Sequence, residues 1–187
     1  MTENNIKKVV ENLIDTFLKA GEVSLELRKK GLTKSIKSDN TPVSNGDLEV
    51  NKIITKKIAE ITPAIPIISE EASENKSIKG LKDFWLIDPI DGTYDYINDL
   101  DEFTINAGLI IDKKPIAGLI YAPAKKRMFY SYGENQAFEL TNGNEIKLDS
   151  TKDFNKNEIK FVSYSNNVKP EISKIHKKLN VKKLVRM

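Results

Sequence analysis

Two short stretches carry oxygen ligands at spacings that suit a cation and a phosphate: Ser69-Glu70-Glu71, and Asp88-Pro89-Ile90-Asp91-Gly92-Thr93. Each follows an apolar run, Ile65 to Ile68 in the first case and Phe84 to Ile87 in the second. A buried strand that runs out at an acid delivers a carboxylate there, so Glu70, Asp88 and Asp91 are expected to meet where two neighbouring strands end. Three carboxylates crowded in this way are costly without a cation. Pro89 has a fixed φ and no N–H, which leaves the Ile90 carbonyl free to turn inward as a further oxygen ligand. Gly92 lets backbone approach a phosphate closely, and a short helix opening at Thr93 presents N–H groups to an anion. Carboxylate and carbonyl oxygens with room left for phosphate are what magnesium prefers, whereas zinc would take His or Cys. The plainer alternative is an Asp-rich turn that only caps a helix. Asp47, three residues after Ser44, is accounted for in full by a capping box, or else serves the site as well. Glu71 is expected beside the ion or in solvent rather than on the ion.

The wider composition narrows the chemistry to oxygen. Among 187 residues there is no cysteine and a single histidine, His176, which excludes disulfides, thiolate metal sites and cysteine nucleophiles and argues against His-based zinc sites. With 39% hydrophobic and 30% charged residues the chain is globular, not a disordered tail, a collagen-like fibre or a coiled coil. No apolar run approaches the roughly 20 residues that cross a bilayer, and the polar start Met1 to Asn5 is not a signal peptide. A cytoplasmic protein without a membrane partner is expected. The net charge of +3 is uneven: Lys169 to Met187 holds seven basic residues against Glu171 alone, leaving the rest at −3. Without interleaved aromatics this basic end is not expected to bind nucleic acid. It reads as the solvated face of a helix that buries Ile172, Ile175 and Leu179.

The elements that must position the acids can be read from periodicity. Ile6, Val9, Val10, Leu13, Ile14, Phe17 and Leu18 recur at three- and four-residue steps and predict one long helix from Glu3 to about Lys29. A polar stretch, Lys37 to Pro42, precedes a second helix over about Asn45 to Ile61, with Leu48, Val50, Asn51, Ile54, Ile58 and Ile61 on one side. The period then changes to two. Strands are expected over Thr104 to Ile111, Ile116 to Tyr121, Met128 to Tyr132, Ala137 to Leu140 and Glu145 to Leu148, turning at Asp112 to Lys114, Gly133 and Asn142-Gly143. Two helices on an antiparallel sheet make an α+β layered domain, residues 1–155. A strand (Ile159 to Tyr164), a helix (Pro170 to Leu179) and a strand (Lys183 to Val185) then read as the beginning of a second, incomplete α/β domain over 156–187.

Asp39-Asn40-Thr41-Pro42-Val43-Ser44 with Asp47, then Ile67 to Glu71, then Trp85 to Thr93, resemble in order and spacing the successive signatures of the inositol monophosphatase superfamily. Within it, Asn40 to Val43, Glu102 to Asn106 and Gly118 to Pro123 are most similar to the CysQ-type 3′(2′),5′-bisphosphate nucleotidases. The resemblance implies a layered sugar-phosphatase-like fold and a lithium-sensitive, magnesium-dependent phosphomonoesterase. Its substrate would be adenosine 3′,5′-bisphosphate, with an inositol phosphate as the alternative. It also implies that Glu70, Asp88 and the Ile90 carbonyl hold a first magnesium and that Asp88 and Asp91 share a second, of two or three ions in the complete site. Thr93, oriented by Asp47, would position the attacking water alongside Glu70, while Gly92 and Thr93 hold the phosphate. Two departures set up a contrasting expectation. The family continues into a domain whose Trp-Asp motif adds an aspartate, and relatives often carry Ser-Arg-Ser-His where Ser163-Tyr164-Ser165-Asn166 stands here. The first points to a truncated, non-catalytic relative that binds metal weakly or serves only as a folded partner, and the second bears on nucleotide specificity; self-association, as in a homodimer, is a further expectation.

Overall fold

In the computed structural model, which describes residues 2–37, 40–72, 80–149, 160–163, 168–181 and 183–186, the first helix is α1 (Glu3–Lys30), ended at Gly31. Its buried stripe, Ile6, Val10, Leu13, Phe17, Ala20, Gly21 and Ser24, follows the three-and-four spacing of the sequence. Each large apolar side chain on it is worth about 1.5–3 kcal/mol when fully buried. That outweighs the ordinary helix propensity of its neighbours.

The polar stretch that follows contains a small hairpin the periodicity did not announce. Strands β1 (Lys34–Ile36) and β2 (Pro42–Ser44) pair antiparallel, Lys34 opposite Ser44 and Ile36 opposite Pro42. Every residue of β1 is exposed, so no alternation marks it. The usable signal was Asn40, which takes φ +67 in the turn, as Asn tolerates better than most residues. Of the motif residues read here, Asp39 lies outside the described residues.

Helix α2 (Asn45–Ile61) starts in the expected capping box. Its buried line is Asp47, Val50, Ile54 and Ile58, and Leu48, one residue off that line, is 53% exposed rather than packed as the sequence suggested. β3 (Ile67–Ser69) passes into a 3₁₀ turn at Glu70–Ala72. β4 (Phe84–Asp91) leads to the short helix α3 (Thr93–Ile97). The meander follows as β5 (Thr104–Ile111), β6 (Lys114–Ala122), β7 (Arg127–Ser131), β8 (Ala137–Thr141) and β9 (Asn144–Lys147).

Among the described residues these strands form one seven-stranded sheet in the order β3-β4-β5-β6-β7-β8-β9. The sheet is mixed. β3 runs parallel to β4, with Ile68 beside Leu86, and every later pair is antiparallel. The expectation of an antiparallel sheet thus holds from β4 onward. Core residues Trp85, Ile87, Ile105, Leu109 and Leu119 meet the α1 and α2 stripes on one face. The Trp85 indole N–H donates to Thr62 Oγ1 at 3.0 Å, so the largest core side chain leaves no donor unpaired. The layered α+β architecture read from the sequence is the one found.

The chain divides into two units, Met1–Leu148 and Asp149–Met187. In the second, β10 (Lys160–Ser163) lies parallel to β11 (Lys183–Arg186), connected through α4 (Pro170–Lys178). The Phe161 and His176 rings are 3.9 Å apart between centroids. Ile175 and Leu179 are 53% and 54% exposed, so α4 does not bury the face the sequence assigned to it. Residue 155, where the sequence reading placed a boundary, and Tyr164, Ser165 and Asn166 lie outside the described residues. No described helix is long and apolar enough to cross a membrane.

Candidate metal and phosphate site

The acids come together through a strand irregularity. β4 does not stop at Ile87, as the sequence suggested, but continues to Asp91. Against β5, Asp88 faces Asn106 and Asp91 faces Thr104, with a register shift between the two pairs. β4 therefore takes three residue steps where β5 takes two, which is a bulge of one residue. In a regular strand, residues three apart point to opposite faces. The extra residue brings Asp88 and Asp91 onto one face, while Pro89 and Ile90 both turn to the buried side and Ile90 is 2% exposed. Proline suits the bulge because it has no N–H to leave unpaired there. Since β3 pairs parallel with β4, Ser69 beside Ile87, Glu70 emerges next to Asp88.

Glu70, Glu71 and Asp91 are each held by a side-chain donor. Lys37, brought in by the β1–β2 hairpin, donates from Nζ to Glu70 Oε1 at 3.0 Å and to Glu71 Oε1 at 2.8 Å. Burial lowers the Lys37 pKa, but the bonds to Glu71 and Glu70 more than reverse this and the net shift is upward. Glu71 is not in solvent: its side chain is 5% exposed, and burial raises its carboxyl above the ordinary range in spite of Lys37. Burial, the charges of Glu70 and Asp91 and a hydrogen bond with Glu70 push Asp88 up to about 7. Asn106 Nδ2 donates to Asp91 Oδ2 at 3.1 Å.

Asp47 serves two partners with its two oxygens. Oδ2 accepts from Ser44 N at 2.8 Å and from Ser44 Oγ at 2.6 Å, completing the cap of α2. Oδ1 lies 3.2 Å from the Thr93 hydroxyl, which is also 2.9 Å from the Ile90 carbonyl. A hydroxyl has one proton, so Thr93 donates to one of these and keeps its lone pairs for another donor. The Ile90 carbonyl, predicted as an ion ligand, lies within hydrogen-bond reach of the Thr93 hydroxyl. Gly92 has φ +90, and a Cβ there would stand 2.7 Å from the Glu102 carbonyl oxygen. Only glycine fits that turn. α3 is pinned behind it by Tyr96, whose hydroxyl donates to Ser24 O at 2.7 Å. Gly46 makes room, since a Cβ would fall 2.3 Å from that hydroxyl.

As they stand, no three carboxylate or imidazole groups among the described residues are gathered tightly enough to cage an ion. The donor set nonetheless fits a hard cation. It is all oxygen, and Asp88 Oδ1 and Asn106 Oδ1 are buried with no hydrogen-bond partner. Lys37 and Asn106 are the site residues that sequence reasoning passed over. Lys37 sat in an unassigned polar stretch, whereas Asn106 had a readable signal, a polar side chain inside the apolar strand Thr104–Ile111.

The inositol monophosphatase family model matches residues 5–187. A 3′(2′),5′-bisphosphate nucleotidase CysQ from Buchnera aphidicola is 37% identical over 151 residues, which are 79% of this chain and 57% of the relative. The chain spans about half the length of the curated relatives it matches. A staphylococcal inositol monophosphatase, solved as an LiCl-soaked inhibitory complex, superposes with TM-score 0.75 at 17% identity, covering 100% of this chain and 67% of that one. CysQ from Bacteroides thetaiotaomicron gives 0.62 at 23% identity over 93% of this chain and 70% of that one. At those identities the solved structures speak to the fold.

Proposed function

Because this chain belongs to the inositol monophosphatase family, we propose that its carboxylate face serves a phosphomonoesterase that converts adenosine 3′,5′-bisphosphate to AMP and phosphate. One observation carries the reading: Asp88 and Asp91 share a face next to Glu70 while Asp88 Oδ1 lies buried without a partner. Glu70, Asp88 and the Ile90 carbonyl would hold one magnesium, and Asp88 with Asp91 a second. Such ions make a water easier to deprotonate and neutralise charge on the transferred phosphoryl group.

The rest falls to the protein. Gly92 and Thr93, at the positive-φ turn into α3, present N–H groups that no carbonyl of that helix reaches, and these bind phosphate oxygens. Thr93, with its proton on Asp47, accepts a hydrogen bond from the attacking water. Glu70, whose side chain is 47% exposed, takes the proton. The water oxygen bonds to phosphorus as the bond from phosphorus to the 3′ oxygen breaks, and the departing oxygen is protonated by solvent. No covalent enzyme intermediate is needed, in keeping with a chain without cysteine.

Phosphate release from adenosine 3′,5′-bisphosphate should require magnesium, fall with lithium and exceed release from inositol 1-phosphate in kcat/KM. Turnover in excess chelator would sink the metal reading, and the reverse ranking of substrates would move the assignment to inositol phosphates. A second reading, an ion binder without turnover, is favoured by Lys37 already occupying Glu70 and Glu71. Magnesium uptake with no phosphate release would establish it.

A further inference from the structure

Asn106 lies directly opposite Asp88 and bonded to Asp91, between two of the carboxylates without being one of them. The two ends of its carboxamide have opposite polarity, and the neighbours decide which way it points. A carboxylate only accepts, so the nitrogen must face Asp91 Oδ2, and a flipped amide would set two acceptors against each other. Oδ1 is then turned away from Asp91 and is buried without a partner, as is Asp88 Oδ1 across the strand pair. Buried acceptors with no donor are rare. Two of them at opposed strand positions require a donor or a cation that the described residues do not supply.

We propose that Asn106 is a positioning residue for the cation of the reaction. Its N–H takes Asp91 Oδ2 out of competition and leaves Asp91 Oδ1 for the ion, and its carbonyl oxygen accepts from the ion's hydration shell. The proposal rests on the reading that Asp88 and Asp91 hold a divalent cation. The residue type follows from the charge balance. An Asp at position 106 would lose the donor to Asp91 and add a third negative charge beside Asp88 and Asp91. Asn gives a donor and an acceptor with no charge.

Asn106→Val and Asn106→Thr are nearly isosteric, both suit a strand, and they differ by one hydroxyl. Magnesium titration by calorimetry should show Asn106→Val binding at least about tenfold more weakly than the parent, as for other groups that orient ligands. Asn106→Thr, which keeps a donor for Asp91, should fall between them. In the ion-free protein, the Asn106 side-chain amide proton, assigned by its loss in either variant, should move upfield in Asp91→Ala. Thermal melts of the ion-free proteins establish that each variant is folded. If Asn106→Val does not fold, Asn106→Thr against the parent and the amide signal decide. Valine binding magnesium within threefold of the parent, threonine no better than valine, or an amide signal unmoved by Asp91→Ala would overturn the role. A parent that takes up no magnesium at millimolar concentration would overturn the metal reading, and the role with it.

Discussion

At Asp47 a single carboxylate divides its work between oxygens, so its two roles can be separated by one substitution. Asp47→Asn can keep its oxygen toward Ser44 and turn its nitrogen toward Thr93, which preserves the α2 cap, removes Asp47 as an acceptor for the Thr93 hydroxyl and leaves that proton to the Ile90 carbonyl. A stability loss of at most about 1 kcal/mol is expected from thermal melts, with a fall in kcat of about 100-fold, in the range for lost proton-handling groups. Near-parent turnover in the folded variant would leave Asp47 with the cap alone. Asp88 gives a prediction in pH. Its pKa is raised in the folded, ion-free protein to about 7 from 3.8, so the folded state binds this proton more tightly than the unfolded one. Stability from that difference is complete below about pH 4 and is lost as pH rises through about 7. Ion-free protein should therefore melt at a lower temperature at pH 8 than at pH 5. Magnesium, which needs the deprotonated carboxylate, should raise the melting temperature more at pH 8 than at pH 5. Equal magnesium shifts at both pH values would remove Asp88 from the ion's ligands.

The connection that steadies the phosphate turn belongs to whole elements. Arg28, in the last turn of α1 and with its side chain 14% exposed, donates to Leu100 O at 2.7 Å and to Asp101 Oδ1 at 3.0 Å, and pairs with Asp99 at 3.2 Å. Its guanidinium also lies over the Phe103 ring at 5.3 Å. The segment so held leads into Glu102 and Phe103, the backbone against which Gly92 packs. Arg28→Ala should lower the unfolding free energy by about 1–3 kcal/mol, the range for hydrogen bonds to charged groups. Amide exchange should quicken over residues 99–103 more than in β6. Unchanged exchange there would mean the loop is held by Phe103 and β5 alone. The helices of this element map were legible from local spacing, because residues three and four apart share a face whatever the helix packs against. Leu48 was misassigned because apolar character alone does not say on which side of a half-buried helix a residue falls. The β1–β2 hairpin was missed because three exposed residues carry no alternation.

For the molecule as a whole, residues 1–148 contain both helical stripes and all seven strands of the large sheet. A chain cut after Leu148 should keep the helical circular dichroism and the melting temperature of the first unit to within a few degrees, and collapse on truncation would show that the two units are interdependent. In the second unit, exposed Ile175 and Leu179 accompany the basic surplus between Lys169 and Met187. Charge repulsion opposes association there and weakens as the Debye length shortens, from about 30 Å at 0.01 M to about 8 Å at 0.15 M salt. Light scattering of the 187-residue chain should show a mass that grows with salt, and a salt-independent monomer would rule out association through this unit. What the sequence determined by itself was short in range: two helical stripes, the Ser44–Asp47 cap, an acid at the end of an apolar run and a glycine where the chain must turn. Such features are set by side chains within four residues of one another. Tertiary structure decided the parallel pairing that puts Glu70 beside Asp88, the bulge that turns Asp91 to the same face, and the bonds from Lys37 to Glu70 and Glu71 and from Asn106 to Asp91. These contacts join residues 15 to 34 positions apart. Their partners are fixed by strand register and sheet order, which depend on how the whole buried face packs and leave no period in the local sequence.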